Sequence, residues 1–177
     1  MIMSSGIRRF VLAIHLTCSV GWIGGVLGYL GLGIAAVRAG NAQTVQAAWI
    51  AMEIVGWYVL VPLAIGSLLT GLLMALGTKW GLFRYYWVLA AFILTTLATI
   101  VLLLHMPDVS AIANAVRTAQ PDEVNDYGGD LVHAGLALAL LLAIQILNLY
   151  KPPGVTPYGW RKNNEERLKP SERTAST

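Results

Sequence analysis

The chain has 177 residues, 56% of them hydrophobic and only 12% charged, against about 25% charged in an ordinary soluble domain. So few charges cannot cover the surface of a soluble domain of this length, and a mean hydropathy of +0.64 also excludes a disordered chain. One cysteine, Cys18, excludes an intramolecular disulfide and any cysteine-rich zinc or iron–sulfur site within one chain.

The first apolar run, Phe10 to Val37, holds 28 residues without a charge. It follows Arg8-Arg9 but is too long for the 7–15-residue apolar core of an export signal, so it reads as a membrane span. Three more uncharged runs follow: Ile54 to Leu76 with 23 residues, Tyr85 to Leu104 with 20, and Leu131 to Leu149 with 19. Each is long enough, at about 1.5 Å per residue, to cross a hydrocarbon core of about 30 Å. The pattern predicts an all-α membrane protein, a four-helix up-and-down bundle over residues 1–150, with a basic tail over 151–177.

In the first span Gly21, Gly25 and Gly28 lie near one face, and Ser67, Gly71 and Ala75 recur at the same spacing in the second. Small residues so placed let helices approach closely in lipid, within the chain or across a dimer. Pro62 removes a backbone donor in the second span and frees the Tyr58 carbonyl, so a kink is expected. Between these spans, Arg38 to Glu53 reads as an external, partly helical connection. Gly77 to Arg84 is a short inner turn.

The segment from His105 to Asp130 is the longest loop. Pro107 is expected to help end the third span. Apolar residues at 109, 112, 113 and 116 predict a short helix lying along the outer membrane surface. Gly128-Gly129 precedes Asp130, which is placed to cap the fourth span. Lys151-Pro-Pro-Gly ends that span, and the polar tail from Asn163 onward is expected to be mobile. Most tryptophans fall near span ends and form an aromatic belt with Tyr85, Tyr86 and Tyr150; Trp22 sits deeper.

Charge sets direction. With both termini cytoplasmic, ten of the twelve Lys and Arg lie inside and only Arg38 and Arg117 outside, the distribution the positive-inside rule favours. The net charge of +3 is then a topological signal and a lipid-facing tail, with no nucleic-acid footprint.

Ionisable groups at membrane depth are the functional candidates. His15 lies near the inner end of the first span. His105 ends the third and His133 begins the fourth, roughly 20 Å away by helical rise, so the three cannot share one metal. At the outer rim, His105 is followed by Asp108 and His133 preceded by Asp130, and Glu53 enters from the second span. Imidazole with carboxylate suits zinc, copper, iron or manganese. The same pair of histidines could instead be axial ligands of a b-type haem. The plain alternative is solvated acids and caps with interfacial histidines. Inside, His15, Cys18 and Met74 are donors for copper(I), and His15 alone could ligate haem. The plain alternative there is a hydrogen bond from His15 to Gln145 or Asn148.

The stretch His15-Leu-Thr-Cys-Ser-Val-Gly-Trp22-Ile-Gly24-Gly25 resembles the first helix of the copper-resistance protein D domain and of the membrane protoporphyrinogen oxidase type. The oxidase type would imply haem with a ligand at His15. Tyr150-Lys-Pro-Pro-Gly with Thr156-Pro-Tyr-Gly159 resembles a family of predicted four-helix bacterial integral membrane proteins, which implies a multi-pass protein of the bacterial cytoplasmic membrane. The leading expectation is a metal- or haem-binding protein with its site at the outer rim. An oxidoreductase role follows if the ion is redox-active. A small transporter or an assembly subunit of a membrane complex is the alternative.

Overall fold

A computed structural model describes residues 3–78, 81–124, 127 and 129–165. Outside that set lie Lys79, Trp80, Asp126, Gly128 and the tail beyond Glu165. The elements are α1 (Ser5–Arg38), α2 (Ala42–Val55), a π turn (Gly56–Leu60), α3 (Val61–Gly77), α4 (Tyr86–Thr118), a single turn α5 (Pro121–Val124) and α6 (Leu131–Tyr150). Residues 157–165 form a last helix, α7.

The protein is an all-α, four-helix membrane bundle. Four rods are long and apolar enough to span a bilayer, with α2, the π turn and α3 running on as one rod from Ala42 to Gly77. In lipid every backbone group must be satisfied within the segment, which long uninterrupted helices achieve. Neighbouring rods run antiparallel and pack in the order α1, α3, α4, α6, with α6 returning against α1. Both described chain ends meet the same end of the bundle. The Met3 amide donates to the Gly77 carbonyl at 3.0 Å, and Val155 forms an antiparallel bridge with Tyr85.

The rods are unequal, and this corrects the expected loops. Only three residues separate the end of α1 from Ala42, the start of α2, with the Asn41 side chain capping it through the Thr44 amide at 2.8 Å. Nor does α4 stop at Pro107; it runs on to Thr118. A proline in a helix forfeits one backbone bond and clashes one turn back, but tertiary packing here outweighs that. The stretch expected to lie on the membrane is helical as predicted, yet its apolar face meets α2. Met106, Val109, Ala113 and Val116 are at most 1% exposed. Gln46 donates to the Val116 carbonyl at 2.8 Å, and Trp57 donates to Ser110 at 2.9 Å. Three rods of 33 to 36 residues measure about 50 Å, whereas the 20 residues of α6 measure about 30 Å. The far ends of α1, α2 and α4 therefore project beyond the start of α6.

Pro62 is accommodated by widening the helix just before it, where the Val61 amide reaches the Gly56 carbonyl. The Met106 side chain packs directly on Gly56 there. Close packing of α1 on α3 occurs within one chain. Gly21 lies against Leu63, and a Cβ on Gly25 would come within 2.7 Å of Leu60. Gly28 departs from the expectation, with nothing within 4 Å. Trp49, expected in the belt, is instead buried at 4% exposure.

Lys151 takes a left-handed conformation at φ 45° and ends α6 ahead of the two prolines. The chain then folds back. Thr156 donates through its amide to the Arg84 carbonyl at 3.0 Å and through its hydroxyl to the Phe83 carbonyl at 2.5 Å. The same hydroxyl accepts from the Gly159 amide at 3.0 Å and caps α7. The helix includes Asn163 to Glu165, where a mobile tail was expected.

Candidate functional site

The site lies where α6 begins, beside the projecting rods. The approach to α6 presses on α1. Gly129 sits against the Gly33 backbone so closely that a Cβ would collide with the Gly33 carbonyl. This contact places Asp130 at the start of α6, buried between α1 and α4 with a side chain 7% exposed. Asp130 does not cap its own helix. Its carboxylate turns to three side chains from three rods. Oδ2 lies 2.5 Å from His105 Nε2 on α4 and accepts from the Tyr29 hydroxyl on α1 at 3.0 Å; Oδ1 lies 3.0 Å from His133 Nδ1, one turn on along α6.

The two imidazoles stack, with ring centroids 4.2 Å apart and planes 22° apart. His105 is mostly covered, with a side chain 20% exposed, while that of His133 is 60% exposed. Ligand atoms of His105, Asp130 and His133 all lie within 4.8 Å of one another. Burial alone would raise the Asp130 carboxyl. The hydrogen bonds from His105 and Tyr29 and the charges of both histidines overcome it and hold the carboxyl below 3.8, so Asp130 is an anion at neutral pH.

Of the five expected rim ligands, the structure brings together His105, Asp130 and His133. Glu53 is engaged elsewhere, accepting from Arg117 at 2.6 Å. Asp108 is exposed on α4 outside the triangle. The departure of Glu53 follows from α4 continuing past Pro107, which brings Arg117 within reach of Glu53 on α2. Tyr29 was missed. A tyrosine hydroxyl deep in an apolar helix needs a partner, and that was the available signal.

His15 lies in the other half of the bundle. Its Nδ1 is 3.1 Å from the Ser67 carbonyl and 3.0 Å from the Thr70 hydroxyl, both on α3. The expected partners on α6, Gln145 and Asn148, instead line with it a cavity of about 330 Å³. Met74 also lines this cavity, whereas Cys18 packs on Gly66 away from it. The copper(I) donor set is therefore divided.

No protein-family model, curated protein or solved structure matches the chain, so the site is read from its own geometry.

Proposed function

We propose that this multi-pass membrane protein binds a divalent transition-metal ion through His105, Asp130 and His133, with Tyr29 orienting the carboxylate. The observation that carries the reading is convergence. Two imidazoles and an ionised carboxylate, from within α4 and from the start of α6, have ligand atoms within 4.8 Å of one another. Tetrahedral coordination at bond lengths near 2.0–2.2 Å needs ligand atoms about 3.4 Å apart. Replacing the protons now shared with Asp130 by one ion requires only small movements. The donor set suits zinc, copper, iron or manganese, and His133 leaves an open side for water or substrate. A redox role follows only for the last three. A phenol bonded to a ligating carboxylate is the outer-sphere arrangement that tunes metal sites.

Stacked rings favour an ion over haem. Two axial imidazoles must reach the iron from opposite faces of the macrocycle, and rings 4.2 Å apart face to face leave no slot for one. The ten-to-two charge split supports placing this rim outside the membrane. A reporter near Gln120 should then be external and one after Thr177 cytoplasmic.

The saturation of Asp130 by three donors favours a second, non-enzymatic reading, a clasp holding α1, α4 and α6 together. Titration of the purified protein with cobalt(II), followed by its d–d absorption and by elemental analysis, separates the two. The metal reading expects one ion per chain, lost in the His105→Ala, His133→Ala double variant. Full binding by that variant, or no binding by the wild type, overturns it. A clasp alone predicts a loss of thermal stability without any metal.

A further inference from the structure

The terminal half of the bundle holds the cavity of about 330 Å³, within the range of small-molecule sites. All four rods contribute to it, and its walls are of two kinds. Trp87, Phe92, Leu16 and Leu149 are apolar, while His15, Gln145 and Asn148 bring polar atoms to membrane depth. A second, smaller cavity of about 30 Å³, lined by the same three polar residues, lies against the buried Trp22. Leu16 and Leu149 are 47% and 75% exposed, so the cavity wall reaches the lipid-facing surface between α1 and α6.

The hydrogen bonds fix what His15 offers. Thr70 donates its hydroxyl proton to the Gly66 carbonyl at 2.6 Å, so toward His15 it acts as an acceptor. The Ser67 carbonyl also can only accept. Both partners of Nδ1 being acceptors, the neutral ring carries its proton on Nδ1 and presents a bare lone pair on Nε2. That atom has no protein partner among the described residues, nor do the Gln145 and Asn148 amides. Unsatisfied polar groups at membrane depth are costly. The complementary ligand has a hydroxyl to donate to His15 and an oxygen to accept from an amide. It has a flat ring to lie along Trp87 and Phe92, and a hydrocarbon portion able to leave between α1 and α6.

We propose that this cavity is a binding site for a lipid-soluble hydroquinone, with the ring against Trp87 and Phe92 of α4, one hydroxyl donating to His15 Nε2 and the tail directed into the bilayer. The site is separate from the rim triad and does not depend on metal binding there.

The test uses the full-length protein in nanodiscs, with 2-decylhydroquinone under anaerobic conditions and binding measured by calorimetry. Saturable one-to-one binding is expected. The dimethyl ether of the same probe keeps the ring and tail but cannot donate, and should bind about tenfold more weakly, the typical loss for one buried hydrogen bond. His15→Leu should weaken the hydroquinone by a similar factor and remove the preference over the ether. Ala91→Phe, which fills the cavity from α4 without touching the polar groups, should abolish saturable binding of both probes. Should His15→Leu fail to fold, the two probes on the wild type and Ala91→Phe still decide. Non-saturable partitioning alone, equal affinity for hydroquinone and ether, or unchanged affinity in folded Ala91→Phe overturns the proposal.

Discussion

The two halves of this bundle solve the problem of polar groups in lipid in opposite ways. At the far rim, one carboxylate takes bonds from a tyrosine and two histidines, and the surrounding rods are tightly packed. Met52, Met106, Val109 and Val116 are at most 1% exposed there. In the terminal half, α1 has no buried residue before Trp22, and one histidine lining the cavity has a ring nitrogen without a partner among the described residues. Packing density decides the difference. Where large apolar side chains interlock, polar groups must bond each other. Where a cavity opens between the rods, a guest or water can satisfy them. At the rim the imidazoles are already bonded to one carboxylate, whereas His15 Nε2 has no partner among the described residues.

The comparison breaks most decisively at the histidines. The His105→Ala, His133→Ala double variant should lose metal affinity by a hundredfold or more, while His15→Ala leaves it unchanged; cobalt titration reads both. Tyr29→Phe leaves all three ligands but frees the carboxylate, so a loss of about tenfold, the low end for outer-sphere partners, is expected in the same titration.

A packing test comes next. Gly25→Leu drives a side chain into Leu60 between the two halves and should destabilise by about 1–3 kcal/mol. Gly28→Leu, with open space before it, should change stability by less than about 0.5 kcal/mol. Thermal melts in one detergent compare them directly.

Acid sharpens the contrast in another way. Asp130 is held below its ordinary value in the folded protein. Its contribution is therefore present in full above the ordinary carboxyl range and is lost as pH falls through the depressed folded value. Metal-free protein should weaken below about pH 4, and Asp130→Asn should remove most of that acid sensitivity in melts taken across pH. The smallest effect is expected at Glu53. Paired with half-exposed Arg117, it should contribute about 0–1 kcal/mol, and Glu53→Gln should leave metal affinity intact.

The uncharged runs determined the four spans by themselves, because a bilayer excludes both charge and unpaired backbone over a fixed thickness. Depth along those spans also separated His15 from His105 and His133 and paired Asp130 with His133 one turn away, since helical rise and period are local properties. Partners and ends were decided by tertiary structure. Pro107 looks like a stop in sequence, yet Met106, Val109 and Val116 gain enough by packing on α2 to carry α4 through it. That continuation brings Arg117 to Glu53, which pairs with it instead of joining the site. Asp130 fits a cap by position, but its carboxylate is turned inward by Tyr29 and His105, 101 and 25 residues away. His15 likewise bonds α3 and leaves the α6 amides across a cavity. Which rods touch, and how tightly, depends on side-chain volumes brought together from distant parts of the chain, and no local pattern carries that information.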